Sequence, residues 1–538
     1  MMGYGPPPND PLFSFNVQLE TRVRKDHPLR KIKELIDFDF IYKEVEKTYG
    51  TNGNVSVPPP VVLKLMLLLI LYNVRSEREL MDTLPERLDW LWLLGFTIES
   101  TIPDHSVLSK ARKRWGEEVF KQFFERIVVQ CVKAKLVDGA KIFMDSSLID
   151  ADASNNSVVD AHALKRYLNG RYRELEKRLV GTREEGANEE AGSKETETPA
   201  ETLQHKGAAV AGGNAESPEE AAKEEVAPET TRPKNAAVNS RYVSTTDSDA
   251  SIVRHAGGKA KLRYKTHRAV DGLREVITAV TITPGVVDDG HEMGPLIKEH
   301  ETNADAAVKT VVADSKYGTK ENLLLCCDKG IEPHMPAVKT VVTGTSSRNG
   351  IFPEERFVYH KESDAFTCPA GKTLKRRSIH EGKQNVEYAA SKKDCAACSL
   401  RPGCTRSKGF RTVQRHVRQE ELDHMFALTK TYAARKDLKT RQQLMERSFA
   451  RSTRFGFDRA RWRGLWRAAI QEYLVSAIQN IETLIRHATR PTKGVRAVPF
   501  TTSGRAAWAC INVYLSCCMR QPPADRLTDP GFLWRRGI

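Results

Sequence analysis

Two aspartates lie in apolar, strand-like segments, where folding is expected to bury their carboxylates. Asp145 follows the apolar residues 142–144 in a segment typical of a strand, and Asp314 directly follows the strand-like residues 310–313. Burying a carboxylate is costly unless a salt bridge, a hydrogen-bond network or a metal ion replaces its water. Active sites of α/β sheets lie just beyond the carboxyl ends of strands, so the position of Asp314 favours a functional role.

A third acid, Glu446, lies in a segment with helical spacing, on one face with Gln442, Phe449 and Thr453. Taken alone, such a residue is more often a surface charge. Three carboxylates together supply the oxygen ligands that Mg²⁺ prefers. Two such ions about 3.5–4 Å apart can activate a water molecule or a hydroxyl group for in-line phosphoryl displacement. The three acids therefore indicate metal-dependent phosphoryl transfer.

The elements that must position these acids divide the chain into a helical part and an α/β part. Apolar and charged residues alternate at helical spacing over residues 29–135, which predicts an all-helical domain after an N-terminal arm at residues 1–28. Three prolines at 58–60 precede an apolar run, residues 61–72, that predicts a buried helix.

From Lys141 the apolar period changes to that of strands. Residues 141–148, 264–270, 275–282 and 308–312 predict strands, and residues 291–301 and 320–329 predict helices. Strands that come first and then alternate with helices are typical of a mixed sheet. We therefore predict an α/β catalytic core formed by residues 140–180 and 236–338 and completed by the helical residues 410–487.

Two inserts interrupt this core, and a tail follows it. Residues 181–235 are rich in Glu, Ala, Gly and Pro, lack the residues of a core and predict a disordered acidic insert. Residues 339–409 form a polar insert with four cysteines, and the pattern assigns no structure to the tail at residues 488–538.

The four cysteines of the second insert leave two interpretations open. They are Cys368, Cys395, Cys398 and Cys404. Four thiolates at such spacing can close a tetrahedral Zn²⁺ site, which would fold a segment too polar to fold otherwise. Free thiols in a loop explain the same residues equally well.

The charge of the chain points to nucleic acid. The formal net charge is +15, and residues 181–230 contain thirteen Glu but four Lys or Arg, a charge of −9 that leaves +24 for the rest. A body this basic is suited to a polyanion, although basic proteins can also simply be soluble. One predicted helix carries Lys110, Arg112, Lys113 and Arg114, which form either a DNA-contacting surface or a solvated basic face.

No secretion signal or membrane span is predicted. The first ten residues are rich in Pro and Gly rather than basic and then apolar, and the run at 61–72 is shorter than the roughly 20 residues that a span requires. We expect a cytoplasmic protein without membrane contact.

Several blocks of the sequence resemble, in order, those of bacterial insertion-sequence transposases of the DDE class. The first acidic block is Phe143-Met-Asp-Ser-Ser-Leu148, and the second is Val311-Val-Ala-Asp-Ser-Lys-Tyr317. The third contains Glu446. Further blocks with the resemblance are residues 59–64, 74–80, 102–106, 149–154, 244–250, 264–271, 445–450 and 461–465, together with Asn480.

The resemblance implies an RNase H-like catalytic fold with Asp145, Asp314 and Glu446 as the triad that binds two Mg²⁺ ions, which Mn²⁺ can replace. It also implies phosphate contacts by Arg441 and Arg454. Such a protein would bind the inverted-repeat ends of its element, cleave them and join the 3′-hydroxyl ends to target DNA. It would act as a homo-oligomer on double-stranded DNA in the bacterial cytoplasm, at the nucleoid.

One departure keeps two alternatives open. Relatives often have Lys seven residues after the Glu, where this chain has Thr453 next to Arg454. A decayed or domesticated transposase that binds DNA without catalysis, as a repressor does, is one alternative. The other is an RNase H-like nuclease that cuts without strand transfer.

Overall fold

The computed structural model describes residues 2–3, 18–50, 55–162, 238–254, 258–337 and 350–488. The predicted disordered insert at 181–235 and almost all of the tail at 488–538 lie outside these residues. The described chain begins with helices α1 (Leu19–Arg22), α2 (Pro28–Leu35), α3 (Phe40–Val45), α4 (Pro59–Leu71), α5 (Glu77–Thr83), α6 (Leu88–Leu94), α7 (Ser106–Trp115) and α8 (Glu118–Lys133). This confirms the predicted helical N-terminal region.

Helix α4 is the centre of the helical region. Pro59 occupies its first turn, where a missing N–H costs no hydrogen bond, and the helix is buried along nearly its whole length. Its core is continuous with the rest of the molecule, since Leu65 of α4 and Phe124 of α8 belong to one apolar cluster with Phe143 and Leu474. The helical region therefore packs directly against the α/β part.

The larger sheet has six strands. Strand β1 pairs antiparallel with β5 on one side and parallel with β7 on the other; β7 pairs parallel with β8, and both β4 and β6 pair antiparallel with β5. The strands are β1 (Lys141–Asp150), β4 (Ser251–Arg254), β5 (Ala260–Asp271), β6 (Ile277–Pro284), β7 (Thr310–Val312) and β8 (Glu332–His334). The predicted mixed α/β architecture is confirmed.

The two faces of this sheet have separate cores because side chains alternate along a strand. Phe143 and Val270 belong to the cluster with the helical region, whereas Met144 and Ala269 belong to a second cluster. The helices that follow the first strands are α9 (Val238–Arg241), α10 (Met293–Ala304) and α11 (Lys320–Lys329). The last two contribute to the second cluster.

A short strand pair is formed by the residues on either side of the first insert. Strand β2 (Val158–Asp160) pairs antiparallel with β3 (Tyr242–Ser244). The hydroxyls of Ser157 and Ser244 lie 2.7 Å apart beside this pair.

The cysteine-containing insert forms a second sheet of five antiparallel strands, for which the sequence pattern gave no signal. Its order is β13–β12–β11–β10–β9. The elements are β9 (Val358–His360), β10 (Ala365–Thr367), β11 (Thr373–His380), β12 (Asn385–Ala390), the short helices α12 (Lys392–Ala396) and α13 (Arg401–Cys404), and β13 (Thr412–His416). Because β13 pairs with β12, this sheet extends past residue 409, where we placed the end of the insert.

Three helices end the described chain: α14 (Gln419–Thr429), α15 (Tyr432–Thr453) and α16 (Leu465–Ala488). Helix α15 contacts β1, β7 and β8, so it lies across the strands that carry or precede the two aspartates. Thr431 caps its first turn by accepting a hydrogen bond from the backbone N–H of Ala434.

Candidate active site

Asp145 lies near the middle of β1, on the sheet face that α15 covers. The Arg441 Nη1 atom donates a hydrogen bond to its Oδ2 at 2.7 Å, and the backbone N–H of Ser146 donates to its Oδ1 at 2.8 Å. Burial raises the pKa of Asp145; the Arg441 guanidinium and the Ser146 N–H oppose this rise, and the charge of Asp314 adds to it. The result is a carboxyl group with a raised pKa that contacts the guanidinium of Arg441.

Asp314 lies beside Asp145 because the two strands that lead to them are parallel neighbours. Phe143 of β1 is in register with Val312 of β7, and each aspartate follows its strand partner by two residues. Asp314 is half-buried, and its Oδ1 accepts a hydrogen bond from the backbone N–H of Lys316 at 3.0 Å. The structure thus brings together two of the three predicted catalytic acids.

A buried ion cluster that the sequence did not reveal lies next to Asp314. Asp289 is 1% exposed and contacts the Nζ atoms of Lys265 at 2.8 Å and Lys316 at 2.7 Å. Burial lowers the pKa of Lys316, but the hydrogen bond that Lys316 donates to Asp289 and the charges of Asp289, Asp314 and Asp145 outweigh it and raise that pKa. Lys316 therefore places a firmly cationic group close to both aspartates.

Glu446 is not gathered with the two aspartates. Its side chain is exposed on α15, and its Oε1 accepts a hydrogen bond from Gln442 Nε2 at 3.2 Å. The side of α15 that faces the sheet carries instead Arg441 and Asp437, whose Oδ2 lies 2.7 Å from both Lys141 Nζ and His334 Nδ1. The predicted helix is present, but its glutamate points away from Asp145.

A buried ion pair holds α15 and α16 to the same sheet face. Arg268 is directly opposite Asp145 in the β1–β5 register and is fully buried. Its Nε donates to Glu472 Oε1 at 2.5 Å, and its Nη1 donates to Ser452 Oγ at 2.8 Å. Because the partners of Arg268 lie about 180 and 200 residues further along the chain, no local sequence pattern indicates the pair.

The predicted DNA-contacting residues differ in their exposure. Lys110, Lys113 and Arg114 are exposed on α7. Arg112 is 4% exposed, forms an ion pair with Glu77 and lies 4.0 Å from the centre of the Trp462 ring. It is engaged inside the protein rather than presented to a ligand, because its position on the helix turns it toward the core.

Arg454 lies at the end of α15, where the sequence departs from its relatives. It is exposed, and its Nη2 donates to both carboxylate oxygens of Glu482, at 2.7 and 2.8 Å. Thr453, which precedes it, donates its hydroxyl to the backbone oxygen of Ala450 at 2.8 Å. Arg454 thus has an internal partner but remains accessible.

The four cysteines of the insert converge. Cys368, Cys395, Cys398 and Cys404 line one cavity of about 30 Å³ beside the five-stranded sheet. Burial raises the pKa of the Cys404 thiol; Arg411 lowers it, and the other three thiols raise it. Within the described residues, no group of three or more His, Cys, Asp or Glu side chains is arranged to hold a metal ion, and this applies to the thiols and to the aspartates.

Two regions of the chain match known protein families. Residues 17–114 match a family described as a transposase domain (DUF772), and residues 367–485 match a family described as a transposase DDE domain. No curated protein and no solved structure matches the chain. Together the two matches support a transposase of the DDE class from an insertion sequence.

The family assignment implies DNA as the partner and a divalent metal as the cofactor. The DDE match contains Glu446, Arg441 and Arg454, whereas Asp145 and Asp314 precede it. In the described part of the chain, no helix has the length and the apolar character needed to cross a membrane.

Proposed function

We propose that this protein is a catalytically competent transposase. It binds the inverted-repeat ends of an insertion sequence, hydrolyses a phosphodiester bond there and joins the liberated 3′-hydroxyl to target DNA. The observation that carries the proposal is that Asp145 and Asp314 lie side by side. Each follows, by two residues, a residue of the parallel pair Phe143 and Val312. The chain also matches two transposase families.

We further propose that the six-stranded sheet is RNase H-like. Its central strand β1 has an antiparallel neighbour, β5, on one side and a parallel neighbour, β7, on the other, and it carries the first acid. The second acid follows the parallel neighbour. This order and the placement of both acids are what supports the assignment.

We propose a pair of Mg²⁺ ions as the cofactor because of the chemistry of the acids, although the three are not gathered around one point in the described residues. Carboxylate oxygens are the ligands that Mg²⁺ prefers, and the raised pKa of Asp145 reflects burial and the charge of Asp314, both of which a bound cation would counter. Asp145, Asp314 and Glu446 would hold the ions, which supply charge neutralisation for the attacking and leaving oxygens. Mn²⁺ has similar ligand preferences and would replace Mg²⁺.

The protein's own groups have separate roles in this proposal. Arg441 neutralises Asp145 and keeps α15 against the sheet through a 2.7 Å contact, so it positions the helix that carries Glu446. Lys316, fixed by Asp289, is placed to attract a DNA phosphate toward the two aspartates. Glu446 is assigned by resemblance and has to turn from Gln442 toward the sheet to join them.

DNA contacts are proposed at two places. Lys110, Lys113 and Arg114 form the exposed basic side of α7, and Arg454 is accessible at the end of α15. Cations at such positions bind the phosphate backbone and make binding dependent on salt. Paired transposon ends would be held by a homo-oligomer, which is part of the proposal by family resemblance.

Asp145→Asn and Asp314→Asn test the proposal directly. Each variant should bind DNA that contains the element's ends as the parent does, and each should lose Mg²⁺-dependent cleavage by roughly a thousandfold, since transition-state stabilisation worth several kcal/mol is removed. Asp423→Asn, an exposed acid of α14, is the matched control. If both folded, DNA-bound variants cut as well as the parent, the proposal is wrong.

A second candidate function is favoured by the orientation of Glu446. Its exposed carboxylate and the Arg441–Asp145 ion pair are also what a non-catalytic DNA-binding descendant would have. A parent protein that binds the ends specifically but does not nick them with Mg²⁺ or Mn²⁺ would establish this second function. If the parent cuts and Glu446→Gln cuts equally, Glu446 does not belong to the active site.

A further inference from the structure

The cavity beside the five-stranded sheet is lined by thiols from four places in the chain. Cys368 follows β10, Cys395 lies in α12, Cys398 follows that helix, and Cys404 ends α13. Ligands from separated elements converging on a space of about 30 Å³ are typical of a site for a single ion. The described cysteines are all free of disulfide bonds.

The turn that carries Cys368 is shaped to support a thiolate. The backbone N–H of Lys372 points at the Cys368 sulfur at 3.3 Å, and the N–H of Gly371 donates to the Cys368 carbonyl at 2.8 Å. Gly371 has a φ of +74°, which is left-handed backbone that favours glycine. An N–H donor to a ligand sulfur stabilises the charged form, as outer contacts of metal ligands do.

The charge around the cavity matches a metal–thiolate centre rather than four neutral thiols. Besides the cysteines, the charged side chains that line it are Lys372, Arg401, Arg411 and Asp394, a net charge of +2. A divalent cation bound by four thiolates has a charge of −2, so the two would balance. Arg401 and Arg411 also donate hydrogen bonds to the carbonyls of Cys395 and Cys404, so they hold the backbone of two of the thiol residues in place.

The core next to the cavity is small, so a bound ion would stabilise the fold of the insert. The buried apolar cluster of the five-stranded sheet has seven residues, and Cys368, Cys395 and Cys404 pack against it. Domains with so small a core usually need a metal or disulfides to remain folded. The thiol cavity lies where such a support would hold α12 and α13 to the sheet.

We propose that Cys368, Cys395, Cys398 and Cys404 bind one structural Zn²⁺ ion that locks α12 and α13 onto the five-stranded sheet. The thiols line the cavity without being arranged to hold a metal, so binding has to draw the sulfurs inward to the Zn–S distance of about 2.3 Å. Each thiol loses its proton on binding. The proposal is independent of catalysis by the aspartates.

The test uses the untagged full-length protein, purified with a reductant and analysed for metal. We expect about one Zn²⁺ per chain, and, after replacement by Co²⁺, the intense thiolate-to-cobalt absorption of a tetrahedral four-sulfur site. A parent that retains no Zn²⁺ after reconstitution, or a cobalt spectrum without thiolate bands, overturns the proposal without the need for any variant.

Thiol mapping and matched variants then identify the ligands. With Zn²⁺ bound, the four named cysteines should resist alkylation, as mapped by mass spectrometry, and they should react after chelation. Cys395→Ser should lose at least tenfold in Zn²⁺ retention, whereas Cys327→Ser, a half-buried thiol of α11 outside the cavity, should retain the ion. Protection that falls on other cysteines, or equal retention by both variants, contradicts the assignment.

Discussion

The six-stranded and five-stranded sheets differ in how they accommodate reactive side chains. In the larger sheet, Arg268 and Glu472 are both buried and compensate each other at 2.5 Å within an extensive core. In the smaller sheet, four thiols surround a cavity next to seven buried apolar residues. The first region is organised by contacts already made within the protein, whereas the second surrounds a space in which we propose a bound ion.

The two sheets thus use polar side chains differently, as buried ion pairs in the large sheet and as thiols around a cavity in the small one. The ion pairs beside Asp145 fix helices in place before any ligand arrives, and they are available only because the chain has enough apolar surface to bury them. The insert has too little apolar surface for that solution. A large core can therefore hold the side chains of a site in place before a ligand binds. A small core depends on the bound ligand for its own stability.

Removal of the buried arginine of the large sheet should cost the protein the most stability. Arg268→Met leaves Glu472 buried without its cation and should lower the free energy of unfolding by roughly 3–5 kcal/mol. Arg454→Met, which breaks the exposed pair with Glu482, is the matched control and should cost less than about 1 kcal/mol. Denaturant unfolding followed by circular dichroism measures both, and equal losses would contradict the assigned importance of the Arg268 pair.

A second change addresses the core of the small sheet. Leu374 is fully buried in β11, so Leu374→Ala should cost roughly 2–5 kcal/mol of local stability and make residues 350–418 sensitive to a protease. Ile379→Ala, on the same strand but 49% exposed, should not. Limited proteolysis with mass spectrometry locates the cuts. Cleavage of the large sheet at the same rate would mean that the two regions do not unfold separately.

A smaller change in stability is expected from Glu299, a buried acid that packs beside the six-stranded sheet. Glu299 of α10 lies 3.9 Å from Lys121, and burial raises its pKa from 4.5 to about 7, while Lys121 opposes the rise. The unfolded chain therefore binds fewer protons between these values, and stability should fall as pH rises from 4.5 to about 7.

Glu299→Gln removes that cost. The variant should be more stable than the parent by roughly 1–3 kcal/mol above pH ~8 and nearly equal to it near pH ~5, where the folded parent holds its proton. Thermal unfolding at the two pH values measures the difference. Glu301→Gln, whose parent carboxylate is paired with Lys329 at 2.8 Å, should show no such gain at alkaline pH.

The sequence predicted those parts of the fold whose signals are local. Residues 320–329 were predicted as a helix and form α11, and the strand at residues 141–148 is present within β1. The five-stranded sheet was not predicted, because in β11 only Leu374 is buried and the charged residues around it hide the alternation.

The candidate site was predictable in its aspartates and not in their surroundings. Asp145 and Asp314 follow apolar strands, which a reader of the sequence can see. Arg112 looks like one of four cations on an exposed helix, yet it is buried against Trp462, whose distance along the chain leaves no local trace. The orientation of Glu446 likewise depends on how α15 is turned against the sheet.

The strand pair β2–β3 has a practical consequence for engineering. Asp160 is opposite Tyr242 in this pair, so the two strands that flank the first insert hold its described ends close together. The entropy of closing a loop grows slowly with its length, at about 0.6 kcal/mol for each doubling. A fluorescent protein or an affinity handle whose own termini are close together could therefore be inserted between residues 162 and 238, which leaves the helix α9 and its contacts in place and gives a labelled transposase with both of its ends unmodified.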